Sequence, residues 1–87
     1  MNTVSGRFTA MIGERIQIAR KQAGFTQKQL SDTMGFKDRQ ILANIEGGMR
    51  TVKADELLKL IDALQKPMDW FTDPYLIAGE KVFSWRA

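Results

Sequence analysis

Arg39, Gln40 and Asn44 are the residues of this 87-residue chain best suited to reading another molecule through hydrogen bonds. A side-chain amide donates and accepts at once, the pattern that adenine presents in a major groove, and an Arg fork matches the two acceptors of guanine. The spacing decides whether these side chains share a face. Leu42 and Ile45 lie three apart and mark a buried side. At about 100° per residue the opposite side then holds Gln40, Ala43 and Asn44, with Lys37 and Gly47 near its edges. Arg39 stands laterally in the first turn, from which its long side chain can reach a base or a phosphate, and Lys37 is placed for a phosphate. Ile41 is open between a half-buried position and contact with a thymine methyl. Any single polar residue on an exposed face needs no function; a small Ala flanked by two amides on one helix is the pattern that shifts the reading toward recognition.

The elements that must hold these residues can be read from their ends. In TQKQLSDTMGFKDRQILANIEGG, residues 26–48, Thr26 followed by Gln29 fits a capping box, and Phe25 with Leu30 fits a hydrophobic staple. Gly35 stops that helix in the left-handed conformation that side chains with a Cβ resist. A second helix runs from Lys37 or Asp38 to Glu46, and Gly47-Gly48 ends it. Helix, glycine turn, helix is the layout of a helix-turn-helix. Gln27, first in the leading helix, could meet a phosphate oxygen together with the helix N-terminus. Lys28 and Asp32 form an (i, i+4) pair of the kind usual on a solvated surface.

Thr26-Gln27, Leu30, Gly35, Leu42, Ile45-Glu46 and Gly48 together resemble the Cro/phage-repressor type of DNA-binding domain, the XRE family, over about Phe8 to Phe71. The segment between Gly35 and Ile45-Glu46 is one residue longer than the common pattern, which leaves the start of the recognition helix open by one position. The wording GFKDRQ, a short helix, IEGG and a closing FTDPYLIAGEKVFSWRA is similar to a narrower group, in which such a domain precedes an ImmA/IrrE-type zinc peptidase. The resemblance implies a lambda-repressor-like fold: an all-α, compact five-helix bundle with a short C-terminal extension. It also implies that Arg20 pairs with Glu46, that Gln27 holds a phosphate, and that the Gly48–Thr51 loop binds phosphate through backbone amides and basic side chains. Arg50 and Thr51 match that use, and Lys53 adds to it. Arg20 lies near the inner face of its own helix, where a charge needs a partner in any case.

Composition removes several classes. There is no Cys, hence neither a disulfide framework nor a thiolate metal site, and no His, the usual zinc ligand and general base. No metal or cofactor is expected, no His-Glu-x-x-His motif is present, and the chain reads as a non-enzyme. The net charge of +3 suits nucleic acid and many other partners alike. No apolar run approaches the roughly 20 residues of a membrane span. The N-terminus has no apolar signal core, so the expectation is a soluble cytoplasmic protein.

Elsewhere, residues 1–6 read as polar and frayed. Phe8, Ile12, Ile16, Ala19 and Ala23 form an apolar stripe on a first helix closed by Gly24. Ala54, Leu57, Leu58, Ile61 and Leu64 give the face of a fourth helix. Pro67 suits the first turn of a fifth, Asp73-Pro74 ends it, and Trp70 with Phe71 seals the core. Residues 1–74 thus make one domain. Residues 75–87, rich in Tyr, Leu, Ile, Val, Phe and Trp, read as an extension or as a link to a further domain, with 81–85 as an edge strand. The functional expectation is a repressor that binds double-stranded DNA as a homodimer on a symmetric operator. Two alternatives stay open: an antitoxin-type module that binds a protein and represses its own operon, and the DNA-binding part of a regulator with a peptidase-like C-terminal domain.

Overall fold

The computed structural model describes residues 3–75, with side chains from Gly6 onward. Five α-helices follow one another and no strand is present among these residues: α1 (Thr3–Ala23), α2 (Gln27–Met34), α3 (Arg39–Glu46), α4 (Ala54–Leu64) and α5 (Met68–Thr72). The expected all-helical, five-helix architecture is the one observed. The apolar segment beyond Tyr75, including the edge strand expected at 81–85, lies outside the described residues, and Tyr75 itself is exposed.

The longest helix, α1, supplies Ile12, Ile16 and Ala19 to the core. It begins earlier than the polar start of the chain suggested, at Thr3, because Gly6 costs only about 1 kcal/mol relative to Ala and a packed helix propagates past it. The ends of its stripe overshoot the bundle, so Phe8 and Ala23 are exposed rather than buried. At its other end Gly24 takes φ +84°, and the amides of Gly24 and Phe25 bond back to the carbonyls of Lys21 and Arg20.

Both sides of the capping box of α2 are made. Thr26 Oγ1 accepts from the Gln29 amide at 3.0 Å, and Gln29 Oε1 accepts from the Thr26 amide at 2.8 Å. Phe25 and Leu30 both join the core, as a staple requires. Asp38 caps α3 by accepting from the Gln40 amide at 2.9 Å, so the helix starts at Arg39 and Lys37 stands outside it. Leu42 and Ile45 are buried, as the phasing demanded.

One close approach sets where α3 lies. A Cβ on Gly13 would stand 2.1 Å from the Ile45 carbonyl oxygen, and a Cβ on Gly48 would stand 3.0 Å from the Ala10 Cα. Backbone therefore meets backbone where α1 crosses the end of α3, and only a residue without a side chain fits at Gly13. Gly48 carries a second constraint, a φ of +77°.

In α4 the buried row is Leu57, Leu60 and Leu64, and Leu58 is 59% exposed. The expected face was thus rotated: Leu60, not Leu58, enters the core. Pro67 is the cap of α5 rather than a first-turn residue. Trp70 and Phe71 are buried edge-to-face, ring centroids 5.2 Å apart at 81°. Beneath them Arg15 of α1 donates to the carbonyl oxygens of Trp70, at 3.3 Å, and of Asp73. A cation at the C-terminal end of a helix is favourably placed. Burial pulls the Arg15 pKa below its ordinary value, with Asp73 and then Glu14 acting the other way.

Candidate nucleic-acid interface

The two short helices of the motif are locked by a chain of hydrogen bonds running from surface to core. Arg39 Nη1 donates to Gln27 Oε1 at 3.2 Å, and Gln27 Nε2 donates to Glu46 Oε1 at 3.0 Å. Glu46 also accepts from Arg20, from Nε at 2.6 Å and from Nη2 at 3.2 Å. Arg20 Nη1 closes the chain on the Phe25 carbonyl at 2.8 Å. The Glu46 side chain is only 2% exposed. A carboxylate is tolerated there because three N–H donors and a positive charge meet it.

This geometry gives Gln27 a double position. It stands at the first turn of α2, where a phosphate would meet helix amides, and its amide bridges the core pair to the first residue of α3. The spacing of the sequence named Gln27 and Arg39 separately; their contact comes only from the crossing of α2 over α3. Arg20 and Glu46, named as a pair, are in contact. On the outer face of α3, Gln40 is exposed, Ala43 and Asn44 are half-buried, and Gln40 Nε2 donates to Asn44 Oδ1 at 3.0 Å. Lys37 is exposed at the entry to this face.

The loop after α3 is more committed internally than the residue types suggest. The amides of Met49 and Arg50 donate to the Asn44 carbonyl at 2.9 and 3.2 Å, and the Gly48 amide donates to Ile45 at 3.1 Å. Arg50 holds Glu56 with both terminal nitrogens, at 3.0 and 2.9 Å, and its guanidinium lies 5.9 Å from the centre of the Phe36 ring. The hydrogen bond to Glu56 raises the Arg50 pKa, and the same bond holds the Glu56 carboxyl below the usual carboxylate value. Glu56 further accepts from the Lys53 amide at 2.9 Å, which caps α4. A phosphate at this loop must therefore compete with Glu56 for Arg50, whereas the Thr51 and Lys53 residues are exposed. No pattern in the sequence announced the Arg50–Glu56 pair, since it spans a loop into a new helix.

Among the described residues no group of three or more His, Cys, Asp or Glu could hold a metal ion. No helix among them is long and apolar enough to cross a membrane.

A capped helix, a tight glycine turn and a second helix with a polar outer face define a DNA-binding helix-turn-helix. The helix-turn-helix family model matches residues 16–71, and the chain belongs to that family as a DNA-binding transcriptional regulator of the XRE type. Among solved structures it is similar to the restriction-modification controller protein C.AhdI from Aeromonas hydrophila. The two are 28% identical with a TM-score of 0.66, over 72% of this chain and 94% of that one. No match is found among curated proteins.

Proposed function

We propose that this regulator is a repressor that binds a two-fold symmetric DNA site as a homodimer, with α3 in the major groove. The outer face of α3 carries the reading: Arg39, Gln40 and Asn44 project from one helix beside the N-terminus of α2. Arg39, Gln40 and Asn44 address base edges, and Ala43 fits against a thymine methyl. Gln27, Lys37, Thr51 and Lys53 hold the backbone on either side, and Arg50 joins them where a phosphate displaces Glu56. One such domain reads only a few base pairs, so two copies on half-sites about one helical turn apart supply the specificity. Similarity to a restriction-modification controller protein supports a regulatory role.

Selection from random duplexes, followed by titration of the chosen site at several salt concentrations, tests this. A palindromic site is expected. Lys37→Ala should weaken binding to all sequences and lower the salt slope by about 1. A promoter reporter should be silenced, and light scattering should give a dimer on the operator. Selection that returns no preferred sequence would remove this reading.

A further inference from the structure

We propose that Leu76 and Ile77, the first residues past the described part of the chain, dock into an apolar groove of their own domain, between the first half of α1 and the loop that leads from α3 into α4.

The groove has a volume of about 280 Å³ and is walled by Phe8 and Ile12 of α1, Val52 of the loop, Leu57 of α4 and Thr72 of α5, with Arg50 at its loop side. An apolar cavity of about 150 Å³ already takes a benzene ring, so this one has room for two aliphatic side chains. Phe8, at 43% exposure, also lines a second hollow with Arg7, Met11 and Pro74. The chain therefore leaves α5 along apolar surface: Thr72 borders one hollow, Pro74 borders the next, and Phe8 lines both. Its course there is held at two points. Arg15 donates to the Asp73 carbonyl, and Asp73 Oδ1 accepts from the Tyr75 amide at 2.8 Å, a side-chain turn that bends the chain at Pro74.

Leu76 and Ile77 follow at once in the sequence. At about 3.3 Å per residue they stand within roughly 7–10 Å of Pro74, close enough to reach the wall beside Phe8. A short tether also gives an effective concentration of about millimolar order. At lower protein concentrations the groove of the same molecule thus outcompetes that of a second copy. Because Arg50 and Val52 form one wall, the docked residues brace the loop whose Thr51 the proposed reading sets on the DNA backbone. Docking itself does not depend on that reading.

Nuclear magnetic resonance of the 87-residue chain tests this without DNA. Methyl groups of Leu76 and Ile77 should show contacts to the Phe8 ring and to the methyl groups of Val52 and Leu57. In a mixture of labelled and unlabelled chains, filtered spectra should show none of these contacts between copies. Hydrogen exchange reads the bracing through the Met49 and Arg50 amides, which both donate to the Asn44 carbonyl. They should exchange about tenfold faster in the Leu76→Ser/Ile77→Ser double variant, and at the wild-type rate in Leu76→Ile/Ile77→Leu. The Gln29 amide, held in the capping box of α2, should not change in either. Absence of the methyl contacts overturns the proposal, and contacts found only between copies overturn it in favour of a second chain as the occupant. Unchanged exchange at Met49 and Arg50 refutes the bracing of the loop. Equal acceleration at Gln29 also refutes it, since the loss would then be general unfolding.

Discussion

Replacing Arg20 by alanine strips the buried Glu46 carboxylate of its only positive partner in the hydrogen-bond chain. The Arg20 and Glu46 side chains are 9% and 2% exposed, so water cannot take the place of the lost bonds. Gln27 Nε2 would remain as a neutral donor, and the Phe25 carbonyl would lose its bond from Nη1. Breaking a buried pair from one side costs about 3–5 kcal/mol. A domain of this size has roughly 4–13 kcal/mol in all, so Arg20→Ala is expected to be marginally folded. Glu46→Ala should cost a similar amount by leaving the guanidinium unpaired. The double alanine variant removes both charges and should lose about 2–3 kcal/mol less than the sum of the singles. Replacement of the pair by Met and Leu should be close to neutral. Lysine at position 20 keeps the charge but not the fork that spans Glu46 and Phe25, and should fall between wild type and alanine. Urea unfolding followed by circular dichroism, with constant slope, measures all five. Near-zero single effects, or a double variant equal to the sum of the singles, would refute the account of how α1 holds the end of α3.

Gly13→Ala puts a methyl group against the Ile45 carbonyl oxygen, a backbone atom that cannot swing aside. The expected loss is about 1–3 kcal/mol or more, and an unchanged melting temperature would deny the close approach. Ser31→Ala removes a buried hydroxyl that has no hydrogen-bond partner among the described residues, and should be neutral or stabilising by up to about 1 kcal/mol in urea. Glu56 is held below its ordinary value by Arg50, so its contribution is present above the unfolded value of about 4.3 and is lost as pH falls through the lowered folded value. Wild type should therefore exceed Glu56→Gln in stability at neutral pH by roughly 0.5–1 kcal/mol, the gap closing in acid; a gap that widens in acid would reverse the assignment.

Where a helix ended in a strong local signal, its residues were enough. Thr26 and Gln29 make bonds that depend only on their own turn, Gly24 and Gly35 stop helices by φ alone, and Leu42 with Ile45 permitted one phase. α4 shows the opposite case. LLKLIDAL has apolar residues on nearly every side, so its own spacing allowed Leu58 or Leu60 inward, and the choice fell to the position of α1, α2 and α5 around it. Pro67 was one residue off its expected place for the reason that helix ends shift easily by that much.

Local bonding and periodicity, which act within a few residues of chain, determined the five helices, the turn between α2 and α3 and the polar face that α3 presents. Tertiary packing decided which side chains pair across elements. The crossing of α2 on α3 gave Gln27 to Arg39 and Glu46, and the start of α4 brought Glu56 to Arg50. It also decided that Gly13 must be glycine and that Arg15 must reach the carbonyls of α5, 55 residues and more away in sequence. Hydrogen bonds act over about 3 Å, and no spacing along one chain tells which distant donor will be brought within that reach.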